Sequence, residues 1–147
     1  MSNERKIVII NQAVNHLTIG YCNAFVERYD KVALITGSIH SQGEELDESI
    51  KVSWINGWVE SPLWKKAHSW IIALFRIYFL LITKYRNYDV FFVSIPPMTY
   101  FLILLTKRKF GMMIWDVYPD VLKIYGIKEK DIIYKFWSRI NRAAFNR

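Results

Sequence analysis

Two carboxylates, Asp116 and Asp120, close the stretch "MMIWDVYPDVLKIYGI" (112–127). An apolar run ends at Trp115, and the acids follow with Tyr118 and Pro119 between them. A carboxylate at the end of a buried strand can hold a substrate hydroxyl or help remove its proton. Asp116, next to Trp115, is the expected catalytic group. Asp120 stands before "VLKIYG", where an acid caps a helix start and Gly126 ends it, so a mainly structural, backbone-bonded role is expected there. His16 follows the first predicted strand and is a second candidate for substrate contact, with a plain loop histidine as the alternative. His16, His40, His68 and the single Cys22 show no metal-ligand spacing, and no metal or cofactor site is expected. Neither a GxGxxG nor a Walker-type loop occurs.

The elements that must position these residues read as alternating strands and helices. "KIVIINQ" (6–12), "KVALITGS" (31–38), "IKVSWIN" (50–56), "DVFFVSIPP" (89–97) and "FGMMIW" (110–115) are short, β-branched or aromatic runs bounded by turn residues. Between them, "AVNHLTIG" (13–20) reads as a loop leading into a helix at 21–30. Further helices are predicted over about 64–84, 98–108 and 129–146, and 39–49 is polar and without period. Such alternation gives an α/β domain with a mainly parallel sheet and helices on both faces. The loop 11–20, the turn Ser94-Ile95-Pro96-Pro97 and Asp116 then gather at the carboxyl ends of the strands, where open α/β sheets bind ligands. Pro96 and Pro97 stop their strand and shape that rim.

Just over half of the 147 residues are apolar and 16% are aromatic, which excludes a disordered chain and suits one domain. The net charge of +7 is uneven: residues 1–60 carry five Lys/Arg against eight Asp/Glu, and residues 61–147 carry fifteen against five. One half should therefore meet something anionic. Nucleic acid is disfavoured, because no base-reading module is present and the aromatics lie in apolar runs. "SWIIALFRIYFLLIT" (69–83) is greasy but interrupted by Arg76, and is shorter than the roughly 20 apolar residues of a spanning helix. On the helix over about 64–84, Trp64, Trp70, Phe75 and Tyr78 with Lys65, Lys66 and Arg76 leave two readings: core with solvated charges, or a surface resting on an anionic membrane.

In order, the first strand with Gly20, then "KVALITGS", "DVFFVSIPP" and "WDVYPDVLKIYGI", resemble the N-terminal domain of family-4 glycosyltransferases. The likeness is to the bacterial branch that builds surface polysaccharides, and it spans nearly the whole chain. Pro96-Pro97 matches the family's strand ending in Pro-Pro, and Asp116-Val117-Tyr118-Pro119-Asp120 resembles its Asp-aromatic-aromatic/aliphatic-Pro-acid pattern. The glycine pair usual in the first loop is reduced to Gly20. The resemblance implies a Rossmann-like three-layer domain, the acceptor-side half of a GT-B enzyme. His16, Gly20, Pro96, Pro97, Tyr118 and Asp120 would then line the substrate site around Asp116. It also implies a nucleotide-sugar donor held mainly by a second domain that lies outside residues 1–147, in a longer chain or in a separate subunit. Alone, these residues should not turn over. The implied acceptor is a saccharide or lipid-linked phosphosugar at the cytoplasmic face of a membrane. The rival from a different class is a non-catalytic membrane-bound or protein-binding module with the same fold.

Overall fold

The computed structural model describes residues 4–93 and 95–147, so Ser94 of the proline turn lies outside the described residues. The elements are β1 (Lys6–Ile10), β2 (Ala13–Val14), α1 (His16–Val26), β3 (Lys31–Thr36), β4 (Ser38–Ile39), β5 (Lys51–Trp54), α2 (Leu63–Ile82), β6 (Asp89–Val93), β7 (Phe110–Met113) and α3 (Ile132–Phe145). Two 3-10 segments, Thr99–Leu105 and Asp120–Tyr125, complete it.

The main sheet has the order β5-β3-β1-β6-β7 and every pairing in it is parallel. This is a Rossmann-like α/β fold. β1 occupies the centre because "KIVII" offers apolar, mostly β-branched residues to both faces, and Val8, Ile9 and Ile10 are fully buried. Its side chains alternate between two cores. Val8 and Ile10 pack with Ala73, Ile77 and Leu81 of α2 and Ala144 of α3. Ile7 and Ile9 pack with Ile19 and Cys22 of α1 on the other face.

Three elements differ from the sequence expectation. α1 begins at His16, not at residue 21, because Asn15 is a strong cap: its side-chain carbonyl accepts from the Thr18 backbone N–H at 3.0 Å. The segment after the prolines is a 3-10 helix, not an α-helix. "TYFLILL" is apolar all round, so nothing in it separates a period of 3.0 from one of 3.6, and the tighter helix buries Tyr100 above Ile103 and Thr99 above Leu102. α3 buries only Trp137 and Ala144, although its apolar residues share one face. α2 ends where Arg108 donates to the carbonyls of Leu81 (2.7 Å) and Tyr85 (2.9 Å), covering acceptors that a helix terminus leaves unpaired.

Candidate functional site

The strand order reverses between β1 and β6, and the crevice at such a switch lies outside the carboxyl ends of the strands. There the chain leaves β1 with two buried polar residues, Asn11 and Gln12. The Gln12 backbone N–H donates to the Ile95 carbonyl (2.8 Å) and its carbonyl accepts from Gly37 N–H (3.0 Å), joining three strand ends. The Gln12 side-chain amide donates towards the carbonyls of Asn56 (3.1 Å) and Gly57 (3.3 Å) and to Ser69 Oγ (3.0 Å). Ser69 Oγ in turn donates to the Gly57 carbonyl, and Asn56 Nδ2 reaches the Ser69 carbonyl at 2.9 Å. Both amide nitrogens are bonded, while Gln12 Oε1 and Asn56 Oδ1 are buried with no partner among the described residues; the bonds that do form fix the start of the loop after β5 against the first turns of α2.

Above that network lies a small cleft lined by Trp58, Lys66, Trp70, Ile95, Pro97, Asp116 and Tyr118. Lys66 and Trp70 are one helical turn apart on α2 and face the same way. The Lys66 ammonium sits 5.0 Å from the Trp58 ring centre and 5.6 Å from that of Trp70, within cation–π range of both. Trp70 meets Tyr118 edge-on at 6.0 Å, and Tyr118 stacks on Trp137 of α3 at 5.1 Å and 18°. The Asn141 side-chain amide donates to the Tyr118 carbonyl, which clamps the Asp116–Pro119 turn to α3. Tyr118 is pushed up to about 12, first by burial, then by the Asp116 charge and Tyr125. Asp116 is exposed, three residues beyond the end of β7. Among the described residues, neither Asp116 nor Lys66 forms an ion pair. The enclosed part of the cleft holds only 40 Å³, a floor on which part of a larger ligand would rest.

A wider hollow of 540 Å³ opens at the opposite, amino ends of the strands, lined by Glu4, Arg5, Lys6, Asn87, Asp89 and Lys109. Of its charged residues, Glu4 pairs with Lys6 at 2.8 Å and also with Lys31 at 2.9 Å, whereas Arg5, Asp89 and Lys109 form no ion pair among the described residues. Parallel sheets bind ligands at the other edge, so the smaller cleft is the candidate site.

The structure brings together Asp116, Pro97 and Tyr118 of the sequence candidates. Pro96 is buried behind Pro97, and the Ile95–Pro96 bond is cis. His16 and Gly20 do not line the cleft. His16 is the first residue of α1, half-buried and not in a loop, and Gly20 lies on an exposed part of α1 with open space around it. Asp120 is not a backbone cap: Pro119 precedes the 3-10 segment and no side-chain cap bond forms. Its carboxylate pairs with Lys123 at 2.7 Å and accepts from the Tyr134 hydroxyl at 2.8 Å, and the two hydrogen bonds, Lys123 first, lower its pKa. The reason is reach: the partner cation stands one turn ahead at i+3, and α3 brings Tyr134 alongside.

From the sequence, Lys66 and Trp70 are expected as core or membrane-facing residues of their helix and not at a ligand site, and Trp58 and the Gln12–Asn56–Ser69 network are not expected at all. The i,i+4 spacing of Lys66 and Trp70, and the polar Asn11-Gln12 pair ending an otherwise apolar strand, were the available signals. Among the described residues, no three His, Cys, Asp or Glu side chains converge as a metal site. No family model, curated protein or solved structure matches the chain.

Proposed function

We propose that this domain is the acceptor-binding, N-terminal half of a GT-B glycosyltransferase that moves a sugar from a nucleotide-sugar to a saccharide, lipid-linked in the first instance. The observation that carries the reading is the meeting of Pro97 with Asp116 and Tyr118, from two separate motifs, in one cleft at the carboxyl edge. The cleft's chemistry suits a sugar. Flat aromatic rings accept the apolar face of a pyranose, and a carboxylate accepts hydrogen bonds from its hydroxyls. Lys66, held between two indoles and free of a carboxylate partner among the described residues, suits a phosphate on the same acceptor.

In this mechanism Asp116 orients the acceptor hydroxyl and takes up its proton as that oxygen bonds to the donor sugar's anomeric carbon and the bond from that carbon to the nucleotide phosphate breaks, the nucleotide leaving with the electron pair. Trp58 and Trp70 hold the ring, and the Gln12–Ser69 network keeps the cleft floor in place. The donor sits mainly on a second Rossmann-like domain, and residues 1–147 turn over only with it. The site of action is the cytoplasmic face of the membrane that carries the acceptor. Asp116→Asn keeps the side-chain shape and removes the base, so sugar transfer measured together with the donor-binding domain should fall by about 10²–10⁴-fold. Near wild-type transfer by that variant contradicts the assignment.

A further inference from the structure

The helices on the α2/α3 side of the sheet present to solvent what a globular protein usually hides. α2 buries Trp70, Ala73, Ile77 and Leu81 on one side. Its opposite side carries Trp64, Ile71, Phe75, Tyr78, Phe79 and Ile82, all exposed; Phe75 is 68% and Phe79 63% accessible. Their spacing makes one continuous stripe along the helix. On α3, Ile132 (87%), Ile133 and Phe136 stay exposed on the same apolar face that turns Trp137 and Ala144 inward. Both helices feed the same core face, so their outer stripes belong to one side of the domain.

The charge on these helices is of one sign. Residues 63–82 contain Lys65, Lys66 and Arg76 and no Asp or Glu, and residues 132–145 contain Lys135, Arg139 and Arg142 and no Asp or Glu. Lys65, Arg76, Lys135, Arg139 and Arg142 are exposed, and among the described residues none is in an ion pair. Monomeric proteins rarely show a contiguous apolar patch of this extent unless something binds there. A greasy, aromatic stripe on helices whose own charged residues are all basic, with Glu129 beside those of α3, matches a lipid bilayer with anionic headgroups: the rings and aliphatic chains enter the headgroup–acyl boundary and the cations meet the phosphates. No helix of the described residues is long and apolar enough to cross a membrane, which leaves the helices lying along its surface.

We infer that the outer faces of α2 and α3 form a docking surface for an anionic bilayer. Membrane contact here is independent of what the cleft binds, because none of the stripe residues lines it. The same orientation sets the start of α2, with Lys66 and Trp70, close to the bilayer, where a lipid-linked acceptor would arrive.

The test is co-sedimentation of the full chain with phosphatidylcholine vesicles and with vesicles in which a third of the lipid is phosphatidylglycerol. Strong binding to the anionic vesicles, weakened by salt, is expected. Phe75→Ser with Phe79→Ser should lower partitioning by at least about tenfold, since both rings lose burial in lipid. In Lys135→Glu with Arg139→Glu, each reversed charge should lower it about fivefold or more. All four positions are exposed, and circular dichroism and thermal melting should confirm an unchanged fold. Equal binding of the parent to neutral and anionic vesicles overturns the inference. So does wild-type binding by both variants, or a concentration-dependent dimer that ignores vesicles and is disrupted by Phe75→Ser with Phe79→Ser, which would make a second copy the occupant.

Discussion

Gly37→Ala should unlock the floor of the cleft. Gly37 follows β3 at the carboxyl edge, and a Cβ built there would lie 2.3 Å from the Asn56 carbonyl oxygen and 2.8 Å from Gly57 Cα. These are backbone atoms, so no side-chain rotation relieves the clash; the 56–57 segment must retreat by about 1 Å to regain van der Waals distance. Its two carbonyls are the ones towards which the buried Gln12 amide donates, at 3.1 and 3.3 Å, and Ser69 Oγ donates to one of them at 3.0 Å. Forced overpacking costs about 1–3 kcal/mol. A buried donor that loses its partner costs about 1–3 kcal/mol more. The terms share atoms, so their combined effect should be about 2–4 kcal/mol, or a Tm lowered by about 5–15 °C in a domain of this size. Urea denaturation gives the free energy, and the m value shows whether the native state stays compact. Gly20→Ala is the control: nothing lies within 4 Å of the added Cβ, and a helix interior should gain about 0.5–1 kcal/mol from losing a glycine. Unchanged stability in Gly37→Ala would refute the claim that the close approach of the β3 and β5 loops holds the network together.

Cys22, fully buried with its thiol pushed up to about 12 by burial, should not react with Ellman's reagent at neutral pH until the protein is unfolded; prompt reaction in native buffer would contradict this packing. Asp116→Asn removes one of the charges that raise the Tyr118 pKa, so the Tyr118 ring, followed by its assigned NMR signals, should ionise at lower pH in the variant; an unchanged titration would contradict this. Glu4 is held at about 2 by its hydrogen bonds to Lys31 and Lys6, so its contribution is present above the ordinary carboxylate range and is lost as pH falls from about 4.5 through about 2. The urea midpoint should therefore decline across that window, with a shallower slope in Glu4→Gln and in high salt; an identical slope in the variant would contradict the pairing.

The parallel sheet was legible because its strands announce themselves locally. "KIVII" and "KVALIT" are β-branched runs of strand length, and the polar turns around them set the order of strands and helices. The position of Asp116 followed from the same order, because a residue just past a parallel strand falls on the ligand edge whatever packs around it. What could not be read depends on distances across the fold. Gln12 bonds to residues 44 and 45 positions away, and Lys66 meets Trp58 only because the loop after β5 folds back on α2. Asp120 was misjudged because two mechanisms compete at the same site: a cap uses local backbone, whereas its actual partner Tyr134 arrives from α3, 14 residues on. The outward face of α2 was ambiguous for a related reason. A helix apolar on both sides shows no minority face by period, so only the folded chain reveals which stripe is left uncovered.

The cleft of Trp58, Lys66, Trp70 and Asp116 is proposed to hold the saccharide acceptor. Indole N–H resonances of the labelled protein, assigned by replacing each tryptophan in turn, read it most directly during titration with free oligosaccharides and with short-chain prenyl phosphosugars. The Trp58 and Trp70 signals should move together on saturation while the Trp54 signal stays fixed. Phosphate-bearing acceptors should bind more tightly than free sugars, and Lys66→Met should remove that preference. Saturable binding that leaves Trp58 and Trp70 unmoved, or no saturable binding by any of these compounds, would contradict it.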